Sequence, residues 1–170
     1  MDDFDPEPVD PRAVDPLLVD RFSVLRRPQT QRDREDQPGF VPLVIERYGL
    51  LLAEVRMIPV SSTATLWITP GSKGAALSMQ RTPPHGRASW FAQAKAICSR
   101  GLWGVLESPG GQRGLCGLVP DGNSCVRLRL RSGGSRMLPT AEGAVFVDEI
   151  LPISAIGFVD ALGSTQQLHC

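Results

Sequence analysis

The sequence predicts a mainly β domain, an antiparallel sandwich or partly open barrel, with one or two short helices and a disordered N-terminal tail. Three observations predict it. From Leu102 onward, short β-forming segments recur about every ten residues, the spacing of sandwiches and barrels. Turn residues separate them: Pro109-Gly110-Gly111, Pro120-Asp121-Gly122-Asn123, Gly133-Gly134, Pro152 and Gly163. The first 20 residues hold seven acids, four prolines and one basic residue, which leaves too little apolar surface to offset the entropy of ordering them.

The chain accordingly divides into an acidic tail over 1–20, disordered or extended up to residue 19, a docking segment and linker over 21–40, and a single mainly β domain over 41–170. In the docking segment Phe22, Val24 and Leu25 form an anchor, and Pro28 stops any helix before it. The Arg/Asp/Glu mixture over 32–36 reads as a solvated linker. Val41, Val44, Ile45, Tyr48, Leu51 and Leu52 recur at helical spacing. Pro42 suits a first helical turn and Gly49 weakens its end, so a helix is expected over 41–48, with strand character from Leu51. "EVRMIPV", "ATLWITP" and "AALSMQ" read as a three-stranded meander, the last two joined by a "GSKG" turn. "RTPPHGR" is a loop. "ASWFAQAKAICSRG" favours a helix ended by Gly101, with Trp90, Ala94 and Ile97 on one face. Then follow "LWGVLES", "RGLCGLV", "CVRLRLR", "SRMLPT", "AVFVDEI", "AIGFVDA" and "STQQLH" as strands.

Composition narrows the function classes. Formal net charge is zero and 42% of residues are hydrophobic, which suits a globular domain and argues against a dominant role on nucleic acid or a membrane surface. The charge is unevenly spread, −4 over residues 1–40 and +4 over 41–170. "MDDFDPEPVD" is the reverse of a secretory signal, and the longest apolar stretch, "GLLLAEV", is far too short to span a bilayer. A cytoplasmic protein with reduced thiols is expected, with no membrane span.

"RFSVLRRPQTQRD", "TLWITPG" followed by "AALSMQ", "GLCGLVPDGNSCVRL" and "AVFVDEI…AIGFVDALG" together resemble an uncharacterised family of high-GC bacterial proteins. That family carries a "VLRRPQT" entry segment, a "W-V-x-P-G" hairpin and a "GLVPDGV" strand-turn-strand ahead of a terminal β-hairpin. The likeness spans roughly residues 21–163. It implies that "VPDG" forms a β-turn, and it brings no assigned reaction or catalytic residue with it. Such proteins often carry an N-terminal anchor or signal, which "MDDFDPEPVD" does not resemble.

Few residues of the sequence suit a catalytic or metal-binding role. A Ser or Cys nucleophile needs a base within reach. Only His85, in a Pro-Pro-His-Gly loop, and His169, the penultimate residue, offer an imidazole, and no G-x-S-x-G or S-x-x-K occurs. Cys98, Cys116, Cys125 and Cys170 contain no C-x₂₋₄-C pair, so no zinc site is expected. Cys116 and Cys125 flank a turn and read as small buried residues, a bridge between them being conceivable only on export. "GSKG", with Lys73, lacks the phosphate-loop pattern. "VRLRLR" sets Arg127, Arg129 and Arg131 on one strand face and Val126, Leu128 and Leu130 on the other. Without interleaved aromatics this is an outward strand face rather than a nucleic-acid track. Glu142, Asp148, Glu149 and Asp160 fall near strand ends, where two could converge as hydrolase chemistry requires. Trp67, Trp90 and Trp103 read as core. Asp121 is expected to turn a β-hairpin between Leu118 and Val126.

No catalytic, cofactor-binding or metal-binding residue is assigned on these grounds. The expectation is a non-catalytic binding or protein-interaction module with an unidentified protein partner. A small carboxylate-based hydrolase and a basic-strand nucleic-acid binder are its rivals.

Overall fold

A computed structural model describes residues 10–81, 86–107, 113–148, 152–160 and 165–169. The fold is mainly β and sandwich-like rather than a closed barrel. The first sheet is a four-stranded antiparallel meander of β1 (Arg56–Pro59), β2 (Ala64–Pro70), β3 (Gly74–Arg81) and β4 (Arg87–Gln93). β5 (Leu102–Glu107), β6 (Arg113–Leu118) and β9 (Ala144–Val147) form a three-stranded sheet in the order β5-β6-β9. β7 (Asn123–Leu130), β8 (Ser135–Pro139), β10 (Ile153–Asp160) and β11 (Thr165–His169) form a third, in the order β11-β10-β7-β8.

Five short helices are present among the described residues: α1 (Pro16–Arg21), α2 (Ser23–Arg26), α3 (Gln31–Arg34), α4 (Pro42–Tyr48) and α5 (Ala94–Arg100). Three of them lie where a tail and linker were expected. Residues 1–9 of that tail fall outside the described residues, but 16–21 are helical. Asp15 accepts the N–H of Leu17 and Pro16 presets the first turn. Leu18 is fully buried, and Phe22, Val24 and Leu25 follow it into the core. The acidic composition of 1–20 hid one "PLLV" cluster apolar enough to hold a helix against the domain.

α4 forms as expected and ends at Gly49, whose φ of 60° is the left-handed conformation that glycine adopts at helix ends. The strand expected from Leu51 begins only at Arg56, after a 3-10 turn over Leu52–Glu54. The expected three-stranded meander is present and gains β4. "ASWFAQ" reads as helical in sequence, with Trp90 on the face of Ala94. It instead pairs with β3, Leu77 opposite Trp90, because sheet pairing and burial outweigh the helical preference of Ala and Gln. Only α5, stopped at Gly101, keeps the helix.

Two apolar clusters fill the interior. The larger joins Leu18, Phe22, Val24 and Leu25 to Ile58, Leu66, Ile68, Leu77 and Met79 of the meander and to Ile97 of α5. The other joins Val126, Leu128, Leu138, Val145, Ile156 and Phe158 of the two remaining sheets. Two glycines permit close approach between layers. A Cβ on Gly104 would lie 2.0 Å from the Trp90 ring, and one on Gly117 would lie 2.3 Å from the Trp103 ring. Among the described residues no helix is long and apolar enough to cross a membrane.

Candidate functional site

The entry segment builds one wall of the site. Arg27 donates two hydrogen bonds to Asp33, at 2.7 and 2.8 Å. Asp33 also accepts from the backbone N–H of Thr30 at 2.6 Å and of Met57 at 2.7 Å. Arg27 in turn donates to the Met57 carbonyl at 3.0 Å. The ion pair thus satisfies both backbone groups of Met57 on the outer edge of β1, where a further strand would otherwise pair. Gln29 donates to the carbonyls of Ala53 and Val55. Arg32, Arg34, Glu35 and Asp36 are exposed, as expected of a solvated linker, but Asp33 among them is fully buried. Burial pushes its carboxyl up, but Arg27 and the Met57 and Thr30 donors outweigh that and hold it well below the usual carboxylate range.

Register divides the meander into two faces, since residues opposite one another project the same way. Ile58, Leu66, Ile68, Leu77 and Met79 face the core. Met57, Thr65, Trp67, Ser78, Gln80 and Arg87 share the outer face. α4 covers one half of that outer face: Phe91 stacks on Tyr48 at 5.6 Å and meets Phe40 edge-on at 5.7 Å. The other half lies open toward α3 and forms a cleft of about 380 Å³ whose lining includes Arg32, Asp36, Thr65, Trp67, Gln80 and Arg81.

Arg87 ties together three of the residues that line this cleft. Its guanidinium lies 5.3 Å above the Trp67 ring and donates to the Asp36 carbonyl at 3.0 Å and to the Gln80 side chain. Trp67 is only 4% exposed, yet its indole N–H has no acceptor among the described residues. Trp67 is buried, as expected of a core residue, and also lines the cleft. Arg81 ends β3 opposite Ala64, on the core-facing side at the limit of the sheet. One of its nitrogens pairs with Asp148; Nε and Nη1 are buried and have no partner among the described residues. An unmade hydrogen bond of a buried group costs about 1–3 kcal/mol, and more for a charged one. Two further unpartnered hydroxyls, Thr69 and Ser72, lie at the opposite end of β2. A second cavity, of about 250 Å³ near Val60, Leu138 and Phe146, has none of these unpartnered donors on its walls.

The sequence-stated candidates do not gather here. Asp121 is not in a hairpin, because β6 and β7 belong to different sheets. The turn is a crossover in which Gly122 takes φ 87°, and Asp121 reaches back to the entry segment, pairing with Arg26 at 2.6 Å. Glu142 pairs with Arg27 at 3.7 Å, and Asp148 pairs with Arg81. Asp160 lies on β10, and Glu149 falls outside the described residues. His85 and Cys170 do so too. Cys98, Cys116 and Cys125 are free thiols, and Cys116 and Cys125 stand in different sheets. Among the described residues no three His, Cys, Asp or Glu side chains are grouped to hold a metal. Arg127 and Arg129 are exposed while Val126 and Leu128 are buried, the alternation expected of β7.

Sequence reasoning missed Arg81, Arg87 and Asp33. The signal for the first two was slight: an arginine directly after "SMQ" that ends β3, and another at the far side of the "TPPHG" loop that opens β4. Asp33 was hidden in a charge run. No protein-family model, curated protein or solved structure matches this chain.

Proposed function

We propose that this protein is a non-catalytic binding module and that it takes a small ligand in the cleft between α3 and the outer face of the meander. The observation that carries the reading is the indole N–H of Trp67, buried in the lining of the cleft with no acceptor among the described residues. Buried donors are almost always satisfied, so an unmatched one lining a cleft is a place where a ligand gains a hydrogen bond without displacing a protein partner. Binding is favoured over hydrolysis because Glu142 and Asp148 are each engaged by a separate arginine, whereas carboxylate catalysis needs two that face one substrate.

The test is a fragment screen followed by amide and indole NMR on the full chain. Ligands that bind should move the Trp67 indole signal and the amides of Thr65 and Gln80, and Trp67→Phe should weaken them about tenfold, the worth of one well-made hydrogen bond. Ligands whose shifts map elsewhere, or an empty screen, would overturn the assignment.

A further inference from the structure

We infer that the ligand of this cleft carries an oxyanion, a carboxylate or phosphate group, and that Arg81 is the residue that holds it; the inference rests on the reading of the cleft as a ligand site. Arg81 is a permanent cation with N–H donors and no acceptor. Its side chain is 7% exposed, so water does little to solvate the charge. Asp148 takes one nitrogen, and that carboxylate is itself 53% exposed and shared with solvent. Nε and Nη1 remain unmatched among the described residues. A neutral carbonyl would satisfy a hydrogen bond but leave the charge under-compensated. An oxyanion supplies both, through charge-assisted bonds roughly twice as strong as neutral ones. That Asp148 already rests on the same guanidinium shows that a carboxylate suits it.

The lining sets two cations, Arg32 and Arg81, against two carboxylates, Glu35 and Asp36. Trp67 offers an N–H, and the Gln80 side-chain oxygen is already taken by Arg87. Trp67 stands on the opposite face of the sheet from Arg81, so it meets a second acceptor on the ligand rather than the same oxyanion. The ligand is therefore a small organic acid or phosphate ester with a further carbonyl or hydroxyl, rather than a bare ion.

The experiment titrates the ¹⁵N-labelled full chain with inorganic phosphate, acetate and neutral acetamide in separate arms. Phosphate or acetate should shift the amides of Ala64 and Arg81, and which of the two binds tighter distinguishes a phosphate from a carboxylate ligand. Arg81→Gln should abolish the response. Asp148→Asn, a substitution at a half-exposed side chain, should tighten it about tenfold, because it removes a like charge from the guanidinium. If acetamide alone shifts these amides, the cleft binds but the oxyanion inference fails. If no probe shifts them, both readings fail. Shifts that persist in Arg81→Gln overturn the role of Arg81. Should Arg81→Gln not fold, Asp148→Asn decides: unchanged or weaker oxyanion binding overturns the inference.

Discussion

Asp121 and Arg26, 95 residues apart in sequence, pair at 2.6 Å. Asp121 also accepts the backbone N–H of Ser23 at 2.9 Å and donates its own N–H to the Arg21 carbonyl at 2.8 Å. The "VPDG" corner therefore pins the junction of α1 and α2 to the crossover between two sheets. The pair is part-exposed, at 45% and 31%, and exposed pairs are worth little. Asp121→Ala should cost about 1 kcal/mol, mostly through the lost acceptor for Ser23. Asp121→Asn, which keeps an acceptor, should cost less. Urea unfolding of the two variants measures the difference, and equal losses would assign the effect to charge.

Asp33 carries the larger share of the docking. Removing one partner of a buried pair leaves an uncompensated charge, so Asp33→Asn should cost roughly 3–5 kcal/mol. The carboxyl is held below its ordinary value in the folded protein. A depressed folded pKa contributes stability that is complete above the ordinary carboxylate pKa of about 4 and is lost as pH falls toward the folded value. Denaturant midpoints measured downward from neutral pH should fall in the native protein below that point. The fall should be shallower in Asp33→Asn. Parallel curves would show that other carboxylates govern acid unfolding.

Much of the domain was legible because its strands depend on local pattern. Alternation in "CVRLRLR" and the turn residues around it placed β7 correctly, and "SRMLP" and "AVFV" likewise. What failed depended on distant partners. The pairing of β6 with β9, rather than with its sequence neighbour β7, is set by which faces bury Leu118 and Val145, and no turn residue encodes it. β4 looked helical because its Ala and Gln are, until β3 supplies an edge. The cleft was illegible for the same reason: Trp67, Arg81 and Arg87 belong to three strands, and Asp36 arrives from the exposed linker.

Gly104 tests the packing of the meander against β5. The Trp90 ring occupies the space a side chain would need. Gly104→Ala must displace a large ring or a strand, an overpacking strain of about 1–3 kcal/mol. A wild-type melting temperature in this variant would mean that Trp90 swings aside freely. Gly122→Ala makes an informative contrast, since nothing lies within 4 Å of its would-be Cβ. Its cost should come from the positive φ alone, roughly 1 kcal/mol.

Cys116 tests whether the β5-β6-β9 sheet opens independently of the rest. The thiol is fully buried, and burial pushes it up to about 12, so it is protonated at neutral pH and out of reach of reagents that attack thiolates. Cys98 is also raised by burial but is only partly covered. Pulsed alkylation followed by peptide mass spectrometry should label Cys98 and Cys125 in the native protein well before Cys116. The Cys116 rate should rise with denaturant in step with global unfolding, since its neighbours Leu115 and Leu118 join the two apolar clusters. Labelling of Cys116 that is fast and independent of denaturant would instead mark the sheet as a separately opening unit, and the two clusters as separable cores.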